Sequence, residues 1–178
     1  MRHIYKRGRF FVKKIILIGS GGSGKSTLAR LLGAKFGLNV YHLDALLWKP
    51  NWVGVPRHEQ REIQNDLVKK DKWIIDGNYG GTMDIRLKAA DTIIFLDIHR
   101  IICMYRALKR MVQYRNKTRP DMREGCDERL DFSFLKWIWR YPKAKRPDIL
   151  NKLEQISDEK QVVILKSPKQ VKAFLENV

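Results

Sequence analysis

Lys14-Ile15-Ile16-Leu17-Ile18-Gly19-Ser20-Gly21-Gly22-Ser23-Gly24-Lys25-Ser26-Thr27 decides the reading of this chain. The run 14–19 is apolar with no alternation, the pattern of a strand buried on both faces of a parallel sheet. Gly19 to Ser26 then matches G-x-x-x-x-G-K-[ST] in full, and residues 26–36 carry apolar side chains at Leu28, Leu31, Leu32 and Phe36, helical spacing stopped by Gly37. Strand, glycine-rich turn and helix in this order form a phosphate-binding loop. Glycines let successive backbone N–H groups and the helix N-terminus converge on an anion, so residues 19–27 are the nucleotide-binding candidates, Ser20, Gly21, Gly22, Ser23, Gly24 and Thr27 among them. Lys25 supplies charge to the β- and γ-phosphates, and the Ser26 hydroxyl is a Mg²⁺ ligand type, so ATP and Mg²⁺ are the expected ligands. Gly19, Gly21 and Gly24 also spell G-x-G-x-x-G with Asp44 twenty residues on, a dinucleotide fingerprint. Lys25-Ser26-Thr27 has no role in that turn, and the phosphate-loop reading is preferred.

Outward from this loop, 40–43 reads as a second strand ending at Asp44, 73–75 as a third ending at Asp76-Gly77, 92–96 as a fourth ending at Asp97, and 162–165 as a fifth. Helices are expected at 56–70, 100–114, 132–140, 147–156 and from 168. Alternating strands and helices specify an α/β domain on a parallel sheet with right-handed crossovers. The 178 residues suit one domain able to bury roughly two thirds of its unfolded surface. Residues 1–12 form a basic arm ahead of that single domain, 13–178. No apolar run approaches the ~18 residues that span a bilayer, so no membrane segment is expected. Cys103 and Cys126 suit a reducing compartment, and the chain reads as cytoplasmic.

The net charge is +17, and the stretch 100–146 alone holds 14 Lys/Arg against 5 acids. Such an excess predicts attraction to phosphate-bearing ligands or to a polyanion. No helix-turn-helix, zinc finger or other base-reading module is apparent.

With 19–27, His42-Leu43-Asp44, Trp48-Lys49-Pro50-Asn51-Trp52, Asp76-Gly77-Asn78-Tyr79 and Asn116-Lys117-Thr118-Arg119-Pro120-Asp121-Met122 assembled, the chain resembles the bacterial DNA topology modulation (FlaR-related) family. Those are small P-loop proteins of the adenylate-kinase-like class. The resemblance runs from about residue 13 to the C-terminus. It implies a three-layer fold on a five-stranded parallel sheet with ATP at the strand C-termini. It further implies an acceptor-side insertion at about 45–70 and a helical basic lid around 115–131.

Within that frame Asp76 is similar to the carboxylate that holds Mg²⁺ through water in nucleoside monophosphate kinases. Asp97, ending an apolar strand, is its rival. Asp44 lies on the acceptor side, placed to take a proton from an attacking hydroxyl, with turn or helix capping as its ordinary alternative. Trp48, Trp52 and Pro50 suit stacking on a base or a sugar face. Arg57, Arg61 and Arg86 are of the type that holds an acceptor phosphate bidentately. Arg115 and Arg119 are the lid arginines expected to stabilise transfer, and residues 166–169 lie where relatives contact adenine. The function expected is a Mg²⁺·ATP-dependent kinase of a small nucleoside- or nucleotide-like acceptor. The alternative is an ATP-switched DNA-binding ATPase touching nucleic acid through its basic surface.

Overall fold

The computed structural model describes residues 12–178, so the basic arm at 1–11 lies outside the described residues. Five strands, β1 (Lys14–Gly19), β2 (Val40–His42), β5 (Trp73–Asp76), β6 (Thr92–Leu96) and β7 (Gln161–Leu165), form one all-parallel sheet in the order β2-β5-β1-β6-β7. The glycine-rich loop therefore leaves the central strand, with β5 and β6 on either side. Two further strands, β3 (Trp48–Lys49) and β4 (Val53–Gly54), pair antiparallel as a small hairpin outside the sheet.

Each sheet strand feeds two cores at once, which is why the sequence shows unbroken apolar runs. Ile15 and Leu17 face one side, where α1 (Lys25–Phe36), α5 (Arg100–Gln113), α6 (Phe132–Ala144) and α8 (Pro168–Asn177) contribute Leu28, Leu32, Cys103, Ala107, Ile138 and Phe174. Ile16 and Ile18 face the other, against Leu43 of α2 (Leu43–Leu46), Leu67 of α3 (Arg57–Val68), Leu87 of α4 (Met83–Ala89) and Ile149 of α7 (Arg146–Gln155). This is the three-layer α/β arrangement, a sheet covered by helices on both faces.

Several boundaries differ from the sequence expectation for physical reasons. The second strand ends at His42 because Leu43 begins the one-turn helix α2. Helix α6 passes through Pro142 to Ala144, where the expectation stopped at 140. Burial of Tyr141 keeps that last turn packed although proline forfeits one backbone bond. Helix α4 was not anticipated; seven residues give too few turns for an apolar period to show. The segment 115–131 between α5 and α6 is built of turns and one isolated bridge, Arg115 to Glu128, so the lid is helical only in its flanks. Among the described residues, no helix is long and apolar enough to cross a membrane.

Candidate active site

The loop 20–24 leaves β1 and enters α1 with Gly22 and Gly24 at φ +72° and +98°, backbone that side chains other than glycine rarely adopt. A Cβ on Gly22 would collide with the Cys103 carbonyl of α5, so this glycine is required twice over. Lys25 donates its ammonium to the Ser20 carbonyl at 3.0 Å, and Arg106 from α5 donates to the Ser23 carbonyl at 3.3 Å. Asn78 clamps the start of the loop: its Oδ1 accepts from Gly19 N–H at 3.0 Å and its Nδ2 donates to the Gly19 carbonyl at 2.5 Å.

A cavity of about 990 Å³ runs from this loop across the sheet's C-terminal edge. Gly21 to Thr27 form one wall, while Asp44, Trp48, Trp52, Asn78 and Tyr79 lie on the acceptor side. Arg106, Arg110, Arg119, Asp121, Met122 and Glu128 come from α5 and the 115–131 segment, and Pro168, Val171 and Leu175 from α8. The volume suits a nucleotide and a small second molecule side by side.

Asp44 accepts a hydrogen bond from the Tyr79 hydroxyl at 2.9 Å. Burial and then the neighbouring Asp76 charge push its pKa up, against the opposing pull of Lys25, Tyr79 and Arg119. Tyr79 is held protonated by the same burial and by the charge of Asp44. Asp76 itself is buried at the end of β5, with Oδ2 3.0 Å from His42 Nδ1 and Oδ1 without a hydrogen-bond partner.

The hairpin β3–β4 carries both indoles. Its turn places Asn51 and Trp52 at φ +62° and +61°, an unusual backbone for a residue as bulky as tryptophan and a point of local strain. Lid contacts hold it there: Asn51 N–H donates to the Gly125 carbonyl at 2.8 Å and Trp52 Nε1 to the Asp127 carbonyl at 3.0 Å. The two rings meet edge to face with centroids 5.7 Å apart.

An ion-pair chain lies beneath the lid. Glu128, 4% exposed, accepts a hydrogen bond from Arg110 at 3.0 Å on one oxygen and forms an ion pair with Arg119 Nε at 2.6 Å on the other. Arg119 also donates to Asp121 at 3.1 Å. Burial works to raise the Asp121 carboxyl, but Arg119 and a hydrogen bond with Ser26 more than offset it and hold it below the usual carboxylate range.

The structure thus brings Lys25, Ser26, Asp44, Trp48 and Arg119 around one cavity and leaves other expected residues outside it. Arg86 is fully buried and donates to the carbonyls of Gly77, Asn78 and Tyr79 at 2.7, 3.0 and 3.3 Å; burial lowers its pKa to about 10. It builds the turn behind the cavity and does not line it. Arg57 and Arg61 reach the Gly81 carbonyl, each at 3.4 Å, on the outer side of α3. Arg115 is exposed and does not line the cavity. The Asp97 carboxylate is taken by Arg146 Nε at 2.8 and 3.0 Å, which leaves Asp76 as the strand-end carboxylate with a free oxygen. Tyr79, Asn78, Asp121 and Glu128 line the cavity but had no site role in the sequence reading; the partners of Tyr79, Asn78 and Glu128 lie 35, 59 and 9 to 18 positions away, and Asp121, although paired with nearby Arg119, reads in sequence as one more member of a charge run.

The donors present fit a nucleotide and a divalent cation: a glycine cradle that a Cβ would block, the Ser26 hydroxyl, and the orphaned Asp76 oxygen. Among solved structures, the fold is similar to shikimate kinase from Bacteroides thetaiotaomicron, at 18% identity over 93% of this chain and 95% of that one, TM-score 0.51. A gluconokinase from Sinorhizobium meliloti 1021 is similar at 16% identity over 95% and 90%, TM-score 0.53. An unliganded sugar kinase from Janibacter sp. HTCC2649 is similar at 14% identity over 93% of each chain, TM-score 0.52. No family model and no curated protein matches the chain. Fold and loop together define a P-loop protein with the architecture of small-molecule kinases.

Proposed function

We propose that the protein is a kinase that moves the γ-phosphoryl of ATP to a hydroxyl of a small molecule. The observation that carries this reading is the single cavity in which the phosphate loop faces Asp44 and the Tyr79 hydroxyl, with Arg119 arching over from the lid. Phosphoryl transfer to an alcohol needs such a carboxylate within reach of the acceptor.

In the proposed reaction the acceptor O–H gives its proton to the free oxygen of Asp44. The acceptor oxygen forms a bond to the γ-phosphorus as the bond from phosphorus to the β,γ-bridging oxygen breaks, and ADP leaves with that electron pair. Tyr79 fixes the Asp44 rotamer by its hydrogen bond, and the raised basicity of Asp44 suits it to receive the proton. Backbone N–H groups of 21–25 and the Lys25 ammonium bind the phosphates, and the lid over the hairpin excludes water. Mg²⁺, when bound, offsets phosphate charge, and Ser26 and Asp76 are the residues that would hold it.

The test is acceptor-stimulated ADP production from Mg²⁺·ATP. Stimulation by a small hydroxyl compound, lost in Lys25→Ala and in Asp44→Asn, is the expected result. Activity that survives in Asp44→Asn would remove the carboxylate from the chemistry. A panel in which duplex DNA is the only stimulant would replace this reading with ATP-switched DNA contact through the basic surface. Several of those basic residues are already engaged internally: Arg106, Arg110, Arg119 and Arg146 have polar partners, and Arg100 lies 4.0 Å over the Trp139 ring.

A further inference from the structure

The acceptor end of the cavity is short of free positive charge. Arg57 and Arg61 are turned to the Gly81 carbonyl outside it, and Arg86 is buried behind its wall on the carbonyls of the 77–79 turn. Arg110 and Arg119 are matched by Glu128 and Asp121, two acids for two cations. Lys25 and, from α5, Arg106 are engaged by carbonyls of the phosphate loop. Among the described residues, Arg30 on α1 and Arg129 remain, both exposed, Arg129 with its guanidinium 5.7 Å from the Trp52 ring centre. Against these outer cations stands Asp44 in the cavity wall, with Asp76 buried behind it at the end of β5, close enough for each to feel the other. The surrounding wall is aromatic or apolar: Trp48, Trp52, Tyr79, Pro120 and Met122.

A site of this kind disfavours a second anion and favours the flat or apolar face of a ring with a hydroxyl at its edge. We propose that the acceptor is an uncharged ring compound bearing a free hydroxyl, stacked on Trp48 and Trp52 with that hydroxyl on Asp44, and that the site discriminates against the anionic counterpart of the same compound. This rests on the kinase reading above and narrows it. A nucleoside and a neutral sugar share the chemistry, whereas a nucleoside monophosphate or a sugar acid carries the charge that Asp44 repels. The lid ion pairs sharpen the choice, because an incoming anion would have to strip Arg119 from Glu128 and Asp121, leaving Asp121 without its ion-pair partner and Glu128 with Arg110 alone.

Matched pairs test it: adenosine with AMP, guanosine with GMP, and glucose with gluconate. Each is titrated calorimetrically into the full chain holding Mg²⁺ and a non-hydrolysable ATP analogue, and each is assayed for ADP formation. The expected result is a neutral member that exceeds its anionic partner by at least about tenfold in affinity and in kcat/KM, as one added like charge nearby implies. Nucleoside and sugar arms separate the two sources of that chemistry. Asp44→Asn should shrink the affinity gap to within about threefold while turnover is lost, a pattern that a merely structural defect would not give. Preference for an anionic member overturns this proposal and leaves the kinase reading intact. A panel in which no member of either kind binds or stimulates overturns both.

Discussion

Glu128→Gln is the substitution that probes the lid most directly. Glu128 is 4% exposed and closes a chain in which Arg119, 7% exposed, is held at 2.6 Å on one carboxylate oxygen and Arg110 at 3.0 Å on the other. Glutamine keeps the shape and one acceptor, but sets an NH₂ group against a guanidinium that has few other partners. A charge-assisted hydrogen bond at a buried group contributes about 1.5–3 kcal/mol. Arg110, 24% exposed, can turn part of its fork to water and should account for about 1 kcal/mol. Arg119 keeps Asp121 at 3.1 Å, which holds its share to about 2 kcal/mol. The sum, about 3 kcal/mol, corresponds to a fall of about 6–12 °C in Tm for a chain of this size. Thermal unfolding followed by circular dichroism reads the global loss, and amide exchange over 115–131 reads lid undocking if that precedes it. The loss should change little between low and high salt, because the pair is buried. A Tm within 1 °C of the parent, with unchanged exchange over 115–131, would refute the idea that these ion pairs hold the lid.

Asp44→Asn should raise stability at neutral pH while removing catalysis. The folded pKa of Asp44 lies above its unfolded value of 3.8, so the folded state binds the extra proton, and ionisation of Asp44 costs stability as pH rises above that value. The gain of the asparagine variant should therefore be full above the folded pKa and fade as pH falls from that value toward 3.8, read as the Tm difference across pH. Asp121→Asn should act in the opposite sense: the folded Asp121 pKa is depressed, so its contribution is present above pH 3.8 and is lost as pH falls through the folded value. Arg86→Met should cost about 3 kcal/mol in chemical denaturation, since it strands the carbonyls of Gly77, Asn78 and Tyr79 in a buried turn. Gly22→Ala should abolish binding of a fluorescent ATP analogue, because both its φ of +72° and the Cys103 carbonyl forbid the methyl group.

What was legible in the sequence follows from range. Residues 14–27 carry their own explanation, since strand burial, glycine geometry and helix start are all local, and strands at 73–76, 92–96 and 161–165 announce themselves as apolar runs. The hairpin at 48–54 did not, because its two-residue strands hold no period and its turn depends on Asn51 and Trp52 adopting positive φ under lid contacts from Gly125 and Asp127. Arg86 looked like a surface cation on a short stretch with no visible helix. Its burial is set by α4 packing on α3 and by three carbonyls of the 77–79 turn. Glu128 and Asp121 read as members of a charge run. Only the folded lid shows that they neutralise Arg110 and Arg119, which turns a surplus of charge into an internal network. The Tyr79–Asp44 bond joins residues 35 positions apart, a distance at which spacing carries no signal.

Where the γ-phosphoryl group ends up separates transfer to an acceptor from simple hydrolysis. The protein is incubated with Mg²⁺ and ATP labelled in the γ-phosphate, together with the acceptor set, and the products are separated from ATP and inorganic phosphate. Label in an acid-stable organic phosphate ester, absent with Lys25→Ala and with Asp44→Asn, is the result the account predicts. Label released only as inorganic phosphate, at a rate no acceptor changes, would contradict it.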